Sequence, residues 1–159
     1  MNINKLVGDF GVYATALLLE KHYQDTDFNL TLVNDNDPDY DLEISESYPQ
    51  TYFEKPSVIN VNTRKTSTGF LTTEPTLETV NNHLYEQEHE FWISFVNYQF
   101  RNDMIGFSTH IINGKDLDPQ SDYKEVTRDD GRIKEILTEN LKRKAPLSFH
   151  STDLDRMEN

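Results

Sequence analysis

Phe91-Trp92-Ile93-Ser94-Phe95-Val96-Asn97-Tyr98-Gln99-Phe100 is the stretch whose reading decides the fold. Aromatic and β-branched side chains suit a pleated surface, and apolar groups on both parities suit a strand covered on both faces. The pattern predicts the middle strand of a sheet. Just beyond it, Asn102-Asp103 is a turn-forming pair, so the chain is expected to reverse there into a partner strand from Met104 to Ile112. Asn113-Gly114 ends that strand, and the two segments form a predicted hairpin.

Upstream, Val58 to Thr63 reads as another strand, with Ile59, Val61 and Thr63 on one side and Val58, Asn60, Asn62 and Arg64 on the other. Pro49 and Pro56 punctuate residues 46–57, which are expected to cross irregularly. Tyr40, Leu42 and Ile44 alternate with Asp41, Glu43 and Ser45, so an extended segment sends both carboxylates to one face. Asn34 to Pro38 is a predicted turn, and Phe28 to Val33 a short strand before it. The first helix is expected over residues 9–23, capped by Asp9, with Phe10, Tyr13, Ala14, Leu17, Leu18 and Lys21 on its inward face.

Between the strands, Thr66-Ser67-Thr68-Gly69 marks a loop, and Pro75 to Glu88 carries Leu77, Val80, Leu84 and Tyr85 at helical spacing. Downstream, a last helix is expected from Thr127, whose spacing to Asp130 resembles a capping box, with Ile133, Ile136, Leu137 and Leu141 as its stripe. Lys142, Arg143 and Lys144 complement the negative end of that helix, and Pro146 stops it. These elements imply an α/β or α+β domain, a central mixed sheet with helical cover in the order α-β-β-β-α-β-β-α. Residues 1–146 form the expected single domain, and residues 147–159 a polar tail expected to be poorly ordered or lightly docked.

A chain of 159 residues has room for one well-buried domain. Its 28 acidic against 15 basic side chains leave a formal charge of −13, which disfavours a surface built chiefly for phosphate backbones while leaving room for a local basic pocket. The absence of cysteine excludes disulfides, thiol nucleophiles and thiolate metal sites. The start lacks a secretory pattern and no stretch is apolar enough to span a bilayer, so a cytoplasmic, non-membrane protein is expected.

Catalytic motifs are sparse. There is no Gly-x-Ser-x-Gly elbow, no Gly-x-Gly-x-x-Gly turn and no Walker loop, so hydrolytic triads and nucleotide cradles have no local support. His83 and Glu86 have helical i,i+3 spacing, with His89 and Glu90 nearby, but no His-Glu-x-x-His pattern fixes a metal. They read as a surface helix, and His110 as a satisfied histidine at the edge of the core.

Pro38-Asp39-Tyr40-Asp41 and Asn60-Val61-Asn62, in this order of elements, carry a resemblance to the restriction-endonuclease-like PD-(D/E)xK superfamily in its Mrr-like or resolvase-like forms. The resemblance spans roughly residues 9–145. It implies that Asp41 matches the first acidic metal ligand, while Asn60 stands where the second acid belongs and Asn62 where the lysine belongs. Under it, Asp41, Glu43 and Asn60 would hold Mg²⁺, and Lys65 or Arg64 would contact phosphate. The missing acid and lysine weaken that chemistry, because asparagine brings no charge to a hard cation. The leading expectation is therefore a non-catalytic interaction or accessory protein on an acidic scaffold, without cofactor, with a basic protein as partner. The alternative is a divergent Mg²⁺-dependent nuclease acting on DNA or RNA. Homodimerisation is compatible with general base rates and has no residue-level support in the sequence.

Overall fold

The computed structural model describes residues 2–33, 39–66, 71–86, 89–129 and 131–152. Along the chain come α1 (Ile3–His22), β1 (Thr31–Leu32), β2 (Leu42–Ile44), β3 (Ser57–Lys65), β4 (Leu71–Thr76), α2 (Leu77–Glu86), β5 (Glu90–Arg101) and β6 (Met104–Asn113). A single 3₁₀ turn (Gly114–Asp116) leads to β7 (Tyr123–Arg128), β8 (Gly131–Leu137), α3 (Thr138–Lys144) and β9 (Leu147–His150). The central mixed sheet with helical cover is present: a six-stranded sheet in the order β1-β2-β3-β5-β6-β9, with a second, three-stranded sheet β4-β8-β7.

β5 lies between β3 and β6, as its doubly apolar pattern requires. β3 and β5 run parallel from Ser57↔Glu90 to Lys65↔Tyr98, and the other pairs of the large sheet are antiparallel. A parallel pair needs a crossover, which β4 and α2 supply. The β5–β6 turn forms as expected, with Asn102 at φ 48° and Asp103 at φ 65°, the left-handed pair that matches hairpin twist.

Two apolar clusters sandwich the large sheet. Leu18, Leu19, Leu42, Ile44, Ile59, Trp92, Ile111 and Phe149 form the layer under α1. Val58, Phe91, Ile93, Phe95 and Ile112 meet Val80, Tyr123, Ile136 and Leu141 on the opposite face, beneath α2, α3 and the small sheet.

α1 departs from expectation at both its cap and its buried face. Asn2, not Asp9, caps it, accepting from the amides of Asn4 at 3.0 Å and Lys5 at 3.4 Å, while Asp9 pairs with Lys5 at 3.4 Å inside the helix. The buried face is Gly11, Ala14, Thr15, Leu18 and Leu19, so Tyr13 and Leu17 point outward. The cause is a close approach. A Cβ on Gly11 would lie 1.7 Å from Thr63 Oγ1, and one turn later Thr15 Oγ1 sits 2.8 Å from Ser94 Oγ while donating to Gly11 O at 2.9 Å. This contact turns the small residues inward and the larger pair out.

Other expectations are corrected as well. The helix predicted from Thr127 is instead the β7–β8 hairpin, and only Thr138–Lys144 is helical. Ile133 and Ile136 stand three apart, a spacing that suits one face of a helix but falls on opposite faces of a strand, and Gly131 at φ 113° accompanies the reversal into the hairpin. Asp130 of the expected capping box lies outside the described residues, as do Asn34–Pro38 and residues 67–70 of the expected loop. The segment starting at Pro75 first completes β4, and Thr76 Oγ1 then accepts from Thr79 N at 3.3 Å to start α2. On that helix Val80 is buried but Leu84 and Tyr85 are exposed. The polar tail begins with a strand: Leu147–His150 pairs with β6, sending Leu147 and Phe149 into the core. Finally, the 46–57 crossing contributes Tyr48 and Phe53 to the α1-side core, and the strand expected from Phe28 shortens to Thr31–Leu32.

Gly11→Ala is expected to destabilise the fold by about 2–3 kcal/mol, as overpacking against backbone-anchored neighbours does. Thr63→Ala in the same chain should recover part of that loss, because it deletes the hydroxyl and methyl that the new Cβ meets. Urea denaturation of the two variants checks both.

Candidate functional site

The residues that suggested a nuclease do not meet on one surface. Asp41 precedes β2, where its amide donates to Ile59 O at 2.8 Å and its Oδ2 accepts from Val61 N at 2.8 Å. It borders a cavity of about 100 Å³ that Asp9, Val12 and Tyr13 of α1 also line. Burial holds its carboxyl above the usual range, the Val61 amide opposes that shift, and the charge of Asp9 adds to it. Asn60 turns the other way. Its Nδ2 donates to Asp39 O at 2.9 Å, on the face it shares with Val58, whereas Val61 packs beneath α1. Glu43 pairs with Val58, opposite in parity to the inward Leu42 and Ile44. Lys65 shares the parity of Val61 at the exposed end of β3.

The face expected to hold both Asp41 and Glu43 is thus split, because Asp41 lies outside the regular strand and its carboxylate returns to a backbone amide. Asp41 and Asn60 turn to opposite faces of β3, each held by its own backbone partner. Among the described residues, no group of three or more His, Asp or Glu side chains is arranged to hold a metal ion.

His83, expected on a surface helix, is buried: its ring stacks on Phe91 at 4.4 Å between centroids, and Nε2 lies 3.1 Å from Asp39 Oδ2. Together with the Asn60–Asp39 bond, this contact fastens α2 to the segment before β2. The side chain of Glu86, its expected neighbour, lies outside the described residues.

A different surface stands out at the other end of the sheet. α2, α3 and the small sheet cover the face as far as Phe95, and beyond that row the strands present polar side chains. Register fixes which ones: Arg64↔Asn97↔Ser108↔His150 form one row, Asn62↔Phe95↔His110↔Ser148 the next, and Gln99↔Gly106 lies beyond. No carboxylate occurs among these strand positions, in a chain whose net charge is −13. Thr66, Asn97, Gln99, Ser108 and His150 line a groove of about 340 Å³ there. From α3, Lys142 Nζ reaches over the Phe95 ring at 5.8 Å. His110, whose Nδ1 is 2.9 Å from Ser148 Oγ, is pushed down to about 4 by burial, then by the charges of Lys142 and His150.

Asn97, Gln99, Ser108 and His150 were not singled out by the sequence. The alternation Asn97/Gln99 against Ser108/His110 was the available signal, and it needs the β5–β6 register to become one surface. His150 needed the pairing of β9, which a short polar segment does not advertise.

Two titrations test these environments. The fold favours the protonated Asp41, so its contribution falls as pH rises through the carboxyl's range. Asp41→Asn, which keeps an acceptor for Val61 N, should therefore raise Tm by a few degrees at pH 7 and lose that advantage in acid. His110 is the reverse case: its folded value is depressed, so its contribution is intact above pH 6.5 and is lost as pH falls towards about 4. His110→Gln should flatten the stability profile across that window, and Lys142→Ala should raise the His110 midpoint followed by NMR. Comparison with family models, curated proteins and solved structures finds no match for this chain.

Proposed function

We propose that this protein is a non-catalytic interaction protein that receives an anionic partner on the acid-free end of its large sheet. The observation that carries this reading is the composition of that face. Asn97, Gln99 and Ser108, with Lys142 beside them, offer donors and positive charge, and the described strand rows from Phe95 outward carry no carboxylate. Amides and hydroxyls fix an anionic group by hydrogen bonds, while the cations supply attraction that the rest of the chain opposes. A basic protein partner, which the overall acidity suggests, would find no acidic counterpart among the described residues of these strand rows.

The divergent nuclease is the second reading, and what favours it is the meeting of Asp41 with Asp9 at the small cavity under α1. Against it stand the Asp41–Val61 bond and the turning of Asn60 to the opposite face.

At about 50 mM salt the protein should be retained on immobilised heparin and released as salt rises, since contacts of this kind weaken with ionic strength. Asn97→Asp combined with Ser108→Asp should abolish retention without unfolding the chain. Retention unchanged in that variant, or none in the wild type, sinks the reading. Mg²⁺-dependent cleavage of DNA or RNA that disappears in Asp41→Ala would establish the nuclease instead.

A further inference from the structure

α1 carries two apolar faces, and of the outer one only Phe10 packs on aromatic rings elsewhere among the described residues. The buried face is set by Gly11, Thr15, Leu18 and Leu19. On the outer side, Ile3, Leu6, Phe10, Tyr13 and Leu17 recur at spacings of three and four, the seam pattern of paired helices. Ile3 is 73% exposed, Leu6 49%, Tyr13 60% and Leu17 46%, while Phe10 is half-buried against Tyr98 and Phe107. An amphipathic helix at a protein surface ordinarily turns polar side chains this way.

We propose that two copies of this chain associate through α1, with the helices antiparallel about a two-fold axis near residues 11 and 12. The seam is self-complementary in that orientation. Leu6 meets the partner's Leu17 and Phe10 meets the partner's Tyr13, so every apolar position of the central seam faces another, as an isologous contact requires. Charge favours the same place. The chain as a whole carries −13, yet within α1 Lys5 and Lys21 balance Asp9 and Glu20, so the helix itself brings no net charge to the contact.

The seam from Ile3 to Leu17 is about 21 Å long at the rise of an α-helix. Such a strip falls short of the roughly 800 Å² per partner of a standard stable interface, which makes the association a weak one, with dissociation at roughly 1–100 µM.

Sedimentation equilibrium across that concentration range should show the mass rising from one chain to two. Leu6→Lys and Leu17→Glu alter exposed side chains, so circular dichroism should be unchanged while each variant stays monomeric at all concentrations. Combining Leu6→Lys with Leu17→Glu should restore a salt-sensitive dimer, because each lysine then faces the partner's glutamate; a parallel pairing would place like charges together. A wild type that remains monomeric overturns the proposal, as does a dimer that survives Leu17→Glu. A double variant that stays monomeric overturns the antiparallel register. Binding of the monomer to phosphatidylcholine vesicles, lost in Leu17→Glu, would assign the seam to a membrane surface instead.

Discussion

The contact of α1 with the β3–β5 pair governs most of what surrounds it. Parallel strands cannot be joined by a tight turn, so β3 and β5 depend on a long crossover and on cover from both sides. On one side that cover is α1, brought down at Gly11 until the helix backbone lies against Thr63, and tied one turn later by the buried hydroxyls of Thr15 and Ser94. A buried hydroxyl pair is costly to leave unsatisfied, and here the Gly11 carbonyl completes the chain of bonds. The rotation of the helix follows. With Gly11 and Thr15 against the sheet, Leu18 and Leu19 fall into the core, and Tyr13 and Leu17 cannot.

The opposite face is divided by a limit of area. α2, α3 and the β4-β8-β7 sheet bury Val58, Phe91, Ile93 and Ile112, and their cover ends at Phe95. Extending it would take Asn97, Gln99 and Ser108 out of water, each needing partners that an apolar layer does not provide. The side chains at the boundary show that strain. His110 is held neutral by burial and by Lys142, and Lys142 lays its cation over the last covered ring. The polar end thus stays open because of what its strands carry.

How much of this the sequence discloses depends on whether local pattern or pairing decides. The central strand, the Asn102-Asp103 hairpin and the alternation of Leu42 with Ile44 are legible because side-chain parity and turn chemistry act within a few residues. Ile133 and Ile136 are not, since spacing of three serves a helix, and a strand with one bulky residue turned half out reads alike. The small sheet exists because Gly131 reverses the chain and β4 comes back to pair with β8 across the crossover helix. Asp41 fails for a related reason. Its alternation with Glu43 assumes an extended backbone, but it lies one residue ahead of β2, where a carboxylate can satisfy the amide of Val61. Phe10, Tyr13 and Leu17 of the outer seam are visible as hydrophobic spacing and read as core, because nothing short of the Gly11–Thr63 contact says which apolar face turns inward, while Ile3 and Leu6 precede the expected start of the helix.

The two surfaces proposed for interaction lie on opposite sides of the same sheet, and this placement bears on how they act together. α1 covers one face, and the acid-free groove belongs to the other. Pairing through α1 would leave both grooves open and related by a two-fold axis, so a partner with repeated anionic groups would meet two sites at once. Weak contacts then reinforce one another, since the second binds at an effective concentration set by their separation rather than by bulk solution. Acidity elsewhere on the chain opposes loosely placed polyanions, leaving only those that reach the groove with a net attraction. Under the proposed reading, the net charge of −13 would add selectivity to the groove, by raising the penalty for every other approach.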